Sequence, residues 1–379
     1  MDFKRVSFLV GCFVFGLVGL FTEVKGGNVL HKSKCNYTAI YNFGDSNSDT
    51  GTTSAAFTEI YPPNGENFPG NFPKRNCDGR LIIDFIAEEL ELPYLSAYLD
   101  SIGSSYNHGA NFAMGGSSIR QGGFNEVFLS LQISQFRQFK FRTMALYNQS
   151  SNNSADACFK SRLPKSMDFS KALYTLDIGQ NDLSFGFMNS DQHPVRASIP
   201  DILTKFSQGV QKLYNEGARL FWIHNTGPIG CFPRTNQQHK PNPQELDSAG
   251  CRKSENEITQ EFNKQLKDLV FQLRKELPTA KFTYVDVYSA KYELIKNARN
   301  QGFVNPKKFC CGTTKSIRVD CGKKKIKNGK EEYNKCKTPW KYISWDGVHY
   351  SEAANRWLAT RILNGSFSDP PVPISMACN

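Results

Sequence analysis

Short apolar runs alternate with longer amphipathic stretches along this chain, and the alternation limits the folds available to it. The runs cover residues 39–43, 109–114, 172–178, 219–224 and 282–287. The amphipathic stretches cover residues 81–90, 124–141, 199–214 and 255–277. Strands that alternate with helices indicate a parallel sheet with helices on both faces, and near-continuous apolar runs are typical of doubly covered strands. The sequence therefore predicts an α/β fold.

Composition and organisation favour one domain. Of the 379 residues, 39% are hydrophobic and 13% are aromatic, which is enough for a sizeable core. No internal repeat, heptad pattern or long Pro- or Gly-rich linker divides the chain. We predict a single domain over residues 27–379, with a cysteine- and lysine-rich insertion at about 305–338.

The N-terminus has the layout of a secretory signal peptide. Two basic residues precede an apolar stretch over residues 6–21, and a polar segment follows it. We expect cleavage near Gly26, so that residues 1–26 form the signal peptide. An uncleaved signal anchor is the alternative, because the apolar stretch is only slightly shorter than a spanning helix. No later segment resembles a membrane span, so we expect no transmembrane segment after cleavage.

Two further features agree with secretion. Acceptor motifs for N-glycosylation occur at Asn36, Asn148, Asn152 and Asn364. Removal of Cys12 with the signal peptide leaves ten of the 11 cysteines, an even number. Disulfides are the default in an oxidising compartment. We therefore predict a secreted glycoprotein of the extracellular space, the apoplast or the vacuole.

The formal net charge is +11, and many lysines lie between residues 307 and 341. A solvated, lysine-rich loop is the simplest interpretation. Attraction to an anionic acceptor or an acidic cell-wall polymer is the alternative, although charge governs encounter rates rather than chemistry. We expect no nucleic-acid partner.

Residues suited to acyl transfer follow three of the predicted strands. Ser46 follows the first strand, Gly115 the second and Asn181 the third. Ligands bind outside the carboxyl ends of the strands in open α/β sheets, so these segments are expected to converge. Gly115 and Asn181 are each ordinary turn residues. They can also stabilise an oxyanion, Gly115 through its backbone N–H and Asn181 through its side-chain amide.

Ser46 lies in the sequence GDSNSDTG of residues 44–51. A calcium loop does not fit, because Thr50 and Ala56 stand where glycine and glutamate are required. A G-x-S-x-G nucleophile elbow does not fit either, because Ser48 stands at the second glycine. Two interpretations remain open: a nucleophile beside a helix N-terminus, whose dipole favours negative charge, and a structural serine in a helix cap.

His349 and Asp346 form a candidate base with its orienting carboxylate. A spacing of three residues in a helical or turn-like element places both side chains on the same side. The carboxylate can then bind one imidazole nitrogen while the other takes a proton from serine, which is too weakly acidic to attack an ester unaided. The alternative for Asp346 is a cap of the helix predicted from about Ser351.

In combination these segments resemble the sequence blocks of the SGNH (GDSL) hydrolases, and most closely the large secreted plant branch of GDSL esterase/lipases. The stretches concerned are NFGDSNSDTG at 42–51, DIGQND at 177–182 and SWDGVH at 344–349, together with Gly115. The resemblance covers essentially the whole mature chain. It implies a three-layer α/β/α sandwich with a flavodoxin-like parallel sheet.

The same resemblance implies a role for each site residue. Ser46 is the nucleophile and, through its backbone N–H, the first oxyanion donor. Gly115 and the Asn181 side chain are the other donors. His349 is the general base, and Asp346 orients it. The resemblance implies no cofactor.

Cys310 and Cys311 are adjacent, so each is expected to pair with a cysteine elsewhere, and Cys321 and Cys336 are the near candidates. A zinc site built from four cysteines is the alternative. Neither the spacing of these cysteines nor an oxidising compartment favours it. We therefore predict no metal.

The sequence thus predicts a secreted serine esterase that hydrolyses a small-molecule or lipid ester through an acyl-Ser46 intermediate. An acyltransferase that passes an acetyl or hydroxycinnamoyl group to a hydroxylated, acidic acceptor uses the same intermediate and stays open. A catalytically silent wall-binding or defence glycoprotein is a third hypothesis. The positive charge favours it, and the complete set of site residues argues against it.

Overall fold

The apolar runs form the strands of a central sheet in the computed structural model of the protein. The strands are β1 (Ile40–Gly44), β2 (Gly109–Asn111), β3 (Leu173–Asp177), β4 (Leu220–His224), β5 (Lys281–Val285), β6 (Lys325–Lys327), β7 (Lys330–Glu332) and β8 (Ser368–Asp369). Six of them form one sheet in the order β2-β1-β3-β4-β5-β8. The first five in this order are parallel, and β8 runs antiparallel to β5. The β6–β7 pair is a separate antiparallel hairpin.

The structure describes residues 34–70, 74–100, 102–149, 154–189, 192–313, 319–323, 325–327, 330–332 and 334–379. The predicted signal peptide and Asn152 lie outside these residues. Residues 34–379 form one compact unit. None of the helices in the described ranges is both long and apolar enough to cross a membrane.

Helices cover both faces of the sheet. They are α1 (Thr52–Ala56), α2 (Ile82–Glu89), α3 (Leu129–Gln149), α4 (Ser154–Lys160), α5 (Asp168–Lys171), α6 (Gln180–Asn189), α7 (Gln192–Asn215), α8 (Pro233–His239), α9 (Lys253–Glu276), α10 (Val287–Lys296) and α11 (Glu352–Ile362). Side chains of a strand alternate between the two faces. Phe221 belongs to the apolar cluster that includes residues of α3, α7 and α9, and Trp222 to the cluster that includes residues of α2, α10 and α11. The predicted three-layer sandwich is confirmed.

The predicted elements correspond closely to the observed ones. All five apolar runs form parallel strands, and the four amphipathic stretches form α2, α3, α7 and α9. β2 ends at Asn111 rather than at Met114, although Phe112 and Met114 still donate backbone hydrogen bonds to Asn42 O and Gly44 O before the chain enters the loop of Gly115. The two-residue strand β8 is too short to leave a pattern in the sequence.

Four disulfides join eight of the ten cysteines that follow the predicted signal peptide. They are Cys35–Cys378, Cys231–Cys251, Cys310–Cys336 and Cys311–Cys321. The predicted partners of Cys310 and Cys311 are confirmed. All four cysteines of the zinc alternative are therefore bonded to each other and cannot bind zinc as thiolates. The even count does not mean complete pairing, because Cys77 is a buried free thiol and Cys158 an exposed one.

Candidate active site

The predicted site residues meet at the carboxyl edge of the sheet. Ser46 follows β1, and Asn181 lies in the first turn of α6, directly after β3. His349 and Asp346 come from the loop before α11. The parallel sheet therefore unites side chains that are as many as 303 residues apart in the sequence.

A continuous chain of hydrogen bonds joins three of these side chains. His349 Nε2 lies 2.8 Å from Ser46 Oγ, and His349 Nδ1 lies 2.5 Å from Asp346 Oδ2. The other carboxylate oxygen accepts the backbone N–H groups of Val348 (2.9 Å) and His349 (2.8 Å). Because a carboxylate can only accept, it holds the imidazole proton on Nδ1 and leaves Nε2 to accept the serine hydroxyl.

The charges of this pair support each other. Burial opposes ionisation of Asp346, but the charge and hydrogen bonds of His349 outweigh it and hold the pKa of Asp346 below its usual range. Burial also disfavours the imidazolium, yet the Asp346 carboxylate raises the pKa of His349 above its ordinary value. The imidazole is thus a stronger base than a free histidine.

The structural alternatives for Ser46 and Asp346 do not hold. Helix α1 begins only at Thr52, and Asp49 Oδ1 accepts the free N–H groups of Gly51 (2.8 Å) and Thr52 (2.7 Å) at its start. Ser46 therefore neither caps this helix nor lies at its N-terminus. The prediction that a helix dipole favours negative charge at Ser46 is wrong. Asp346 is not the cap of α11, because Ser351 holds that position and accepts the Ala354 N–H.

The predicted oxyanion donors are only partly supported. The Asn181 amide donates to Ser117 O at 2.9 Å and keeps a second N–H. The Gly115 N–H already donates to Asp49 Oδ2 and to Thr53 Oγ1, both at 2.9 Å. Gly115 is therefore not the free donor that the sequence predicted.

The backbone N–H of its neighbour Gly116 is not occupied in this way. Within the part of the chain that the structure describes, the backbone N–H groups of Ser46 and Gly116 have no hydrogen-bond acceptor. Gly116 directly precedes Ser117, whose carbonyl binds the Asn181 amide. Its φ of +81° lies in the left-handed region that favours glycine. The sequence alone does not show which of the two adjacent glycines, Gly115 or Gly116, has a free backbone N–H.

A group of buried charges that the sequence did not reveal lies beneath Ser46. Burial, followed by the charge of Asp177, raises the pKa of Asp45 to about 7. Burial also opposes ionisation of Asp177, but His224, whose Nδ1 is 3.2 Å from Asp177 Oδ2, and Lys291 hold the pKa of Asp177 below its usual value. Burial lowers the pKa of Lys291, and both carboxylates counteract this effect. Lys291 is therefore a cation shared by two buried acids, in addition to His349 for Asp45 and His224 for Asp177.

A signal for Lys291 was present in the sequence. It lies four residues after Val287 and three before Leu294, which are both buried on the apolar face of α10. Lysine at such a position must either extend to solvent or meet buried acids. Only the fold brings Asp45 and Asp177 close to it.

A cleft of about 430 Å³ opens beside Ser46 and His349. Its apolar lining residues are Phe124, Phe187, Met188, Ile229, Phe232 and Val348. Its polar lining residues include Arg234, Thr235, Gln238, Arg252 and Glu255. Arg252 Nη1 and Glu255 Oε1 form an ion pair at 3.0 Å within this lining. The cleft can therefore hold a ligand with both apolar and polar groups.

The predicted glycosylation motifs are accessible where they are described. Asn36, Asn148 and Asn364 are exposed. Exposure is necessary for an N-linked glycan, and glycosylation of these residues stays a prediction.

The sequence is similar to plant proteins along most of its length. The sequence profile of the family described as GDSL-like Lipase/Acylhydrolase matches residues 40–362. The protein GDSL esterase/lipase At3g27950 of Arabidopsis thaliana is 52% identical over 349 residues, which cover 91% of this chain and 92% of that protein. The chain belongs to the GDSL esterase/lipase family.

A second GDSL esterase/lipase of Arabidopsis thaliana, At5g14450, is 48% identical over 387 residues and covers 100% of this chain and 98% of its own. An esterase of Hevea brasiliensis is 46% identical over 366 residues, with coverage of 91% and 90%. A solved structure of a catalytic mutant of the acetylxylan esterase Axe2 from Geobacillus stearothermophilus is 13% identical, with a TM-score of 0.40 and coverage of 88% and 95%. The family resemblance read from the sequence is confirmed.

Replacing Lys291 by methionine tests the buried charge group. Without the cation, the pKa of both Asp45 and Asp177 rises, so the loss of stability grows as the pH rises and the carboxylates ionise. We expect the free energy of unfolding to fall by about 3 to 5 kcal/mol at pH 8 and by clearly less at pH 5, as measured by urea unfolding. Lys264→Met, at an exposed ion pair with Asp268, is the control and should cost less than about 0.5 kcal/mol at both pH values. An equal loss at pH 5 and pH 8 for Lys291→Met contradicts this account.

Proposed function

We propose that this member of the GDSL family is a serine esterase in which Ser46 is the nucleophile, His349 the general base and Asp346 its orienting carboxylate. One observation carries the proposal, the unbroken hydrogen-bond chain from Ser46 Oγ through the imidazole to Asp346 Oδ2. Geometry of this kind activates a hydroxyl that is otherwise unreactive at neutral pH.

Acylation begins when Ser46 Oγ attacks the ester carbonyl carbon and His349 Nε2 takes the hydroxyl proton. The carbonyl oxygen becomes an oxyanion, for which the Ser46 N–H, the Gly116 N–H and the Asn181 amide are the proposed donors. The tetrahedral intermediate then breaks its bond to the leaving oxygen, which takes the proton from His349 and departs as an alcohol. The products of this half-reaction are the acyl-Ser46 ester and a neutral imidazole.

Deacylation repeats these steps with water. His349 takes a proton from water as its oxygen attacks the acyl carbon, and the proton returns to Ser46 Oγ when the acyl bond breaks. A carboxylic acid leaves, and the site is restored. Asp346 stabilises the imidazolium that forms in both halves.

The cleft supports an ester with an apolar portion and a polar portion, either a small molecule or a lipid. Four disulfides are typical of proteins from oxidising compartments, which supports action in the secretory route or outside the cell. Acyl transfer to an acidic, hydroxylated acceptor differs only in the group that attacks acyl-Ser46. The formal net charge of +11 is the observation that favours such an acceptor.

Ser46→Ala tests the nucleophile. The variant lacks the attacking oxygen, so we expect no labelling by a fluorophosphonate probe and loss of p-nitrophenyl acetate hydrolysis, whereas the wild type does both. Ser130→Ala, at a hydroxyl outside this cleft, is the control and should behave as wild type. Retention of wild-type turnover by Ser46→Ala would falsify the proposal.

The same assay separates the two reactions when it includes acetyl, long-chain and hydroxycinnamoyl esters with and without uronic or hydroxy acids. Free acid as the product under all conditions supports the esterase. Acylated acceptor that exceeds free acid identifies an acyltransferase.

Asp346→Asn tests the role of the carboxylate through pH. His349 must be neutral to act as a base, so kcat/KM of the wild type falls as the pH drops through the raised pKa of His349. In Asp346→Asn burial acts without the opposing charge, so the pKa falls and the acidic limb moves to lower pH, while the plateau drops by about 10⁴-fold. An acidic limb that stays in place or moves to higher pH contradicts the assignment.

A further inference from the structure

Arg234 binds the turn that carries Asp346 and His349. Its backbone N–H donates to Gly347 O at 3.1 Å, and its guanidinium donates to Asp346 O from Nε (3.1 Å) and Nη2 (2.6 Å). The side chain is only 4% exposed. Three hydrogen bonds from one residue thus fix two successive carbonyl groups of the turn.

The other side of the same guanidinium faces the cysteine-rich insertion. Arg234 Nη1 donates to Thr313 O at 3.1 Å, and Nη2 lies 3.5 Å from Asp320 Oδ1. Asp320 in turn accepts the Thr313 N–H (2.8 Å) and hydroxyl (2.6 Å). The Arg234 side chain also stacks on Phe309, at 4.9 Å from the ring centroid. Arg234 therefore bridges the insertion and the turn.

Two disulfides lie within the insertion and pack against the residue that precedes Asp346. Cys311 is bonded to Cys321, the residue after Asp320, and its backbone N–H donates to Trp345 O at 2.6 Å. Trp345 is fully buried against this disulfide and the Cys310–Cys336 bridge. The insertion thus contacts the residue before Asp346 directly and Asp346 itself through Arg234.

The turn needs such support because it belongs to no helix or long strand. A base must be held within about 0.5 Å of its working position. Gly347, with φ of +96°, lets Arg234 approach closely, because a Cβ at this position would lie 2.8 Å from Arg234 Cβ. The close contact between Arg234 and the turn of Asp346 and His349 therefore requires glycine at position 347.

We propose that Arg234 is a positioning residue for the His349–Asp346 pair, and that Asp320, next to the Cys311–Cys321 bridge, holds Arg234 in place. The proposal rests on the proposed function, since it concerns the placement of the same base. It assigns the insertion a role in the geometry of the site, in addition to any role in stability.

Arg234 also acts on the charge of the base. The ionisable groups that influence His349 are Asp346 and Asp45, which favour the imidazolium, and Arg234, which opposes it. Loss of the guanidinium therefore raises the pKa of His349. A residue that only packs against the turn would not change the pKa of His349. The acidic limb of the pH profile therefore distinguishes a positioning role of Arg234 from a role in packing alone.

The test compares Arg234→Met with Arg234→Lys. We expect Arg234→Met to lower kcat by about 10²-fold and to move the acidic limb of kcat to higher pH. Arg234→Lys keeps the charge but cannot bind several acceptors in one plane, so kcat falls while the limb stays near its wild-type position. In both variants we expect the fluorophosphonate to label Ser46 more slowly, which shows a change at the base rather than in binding of the substrate's alcohol.

The insertion is tested by two changes outside the cleft. Asp320→Asn should lower kcat by roughly 10-fold with KM near the wild-type value, and Asp268→Asn, at an exposed acid on α9, should change neither. The paired variant Cys311→Ser/Cys321→Ser should lower kcat in the same way. Its control is Cys35→Ser/Cys378→Ser, a bridge between the two ends of the described chain, which should lower the free energy of unfolding without changing kcat.

Wild-type kcat and an unmoved acidic limb in Asp320→Asn and both Arg234 variants overturn the proposal. If Arg234→Met does not fold, the kcat values of Asp320→Asn and Arg234→Lys test the proposal instead. Failure of the proposed function is a different result, in which the wild type is not labelled at Ser46 or Ser46→Ala retains turnover.

Discussion

The hydrogen bond between Ser46 Oγ and His349 Nε2 is the interaction on which the rest of the site depends. It joins residues 303 positions apart, and only a sheet whose parallel strands end at one edge brings them together. Ser46 lies at this edge because it follows strand β1, and His349 lies there because the loop before α11 ends at the same edge. Asp346 then holds the imidazole proton on Nδ1, so that Nε2 can accept the Ser46 hydroxyl.

Burial strengthens this arrangement and also makes it vulnerable. Asp45, Asp177 and Asp346 are all shielded from water near Ser46, and a buried carboxylate needs a partner charge or hydrogen bonds. His349 stabilises the charge of Asp346 and also that of Asp45, whereas His224 stabilises the charge of Asp177. Lys291 acts on both Asp45 and Asp177 as an additional cation.

The sequence was sufficient for the architecture and for the Ser46, His349 and Asp346 grouping, because strand and helix periodicities are local and the three segments are specific in combination. It did not distinguish Gly115 from Gly116, since that depends on Asp49, which takes the Gly115 N–H from 66 residues away. The bridging role of Arg234 was equally hidden. Such partners are set by tertiary packing, which leaves no periodic signal in the chain.

The most direct measurement is a crystal structure of the protein after reaction with a fluorophosphonate. The account predicts a covalent bond from phosphorus to Ser46 Oγ, with the phosphoryl oxygen about 3 Å from the Ser46 N–H, the Gly116 N–H and the Asn181 amide, and with His349 still bound to Asp346. Modification of another residue, or a phosphoryl oxygen that contacts none of these three donors, would contradict it.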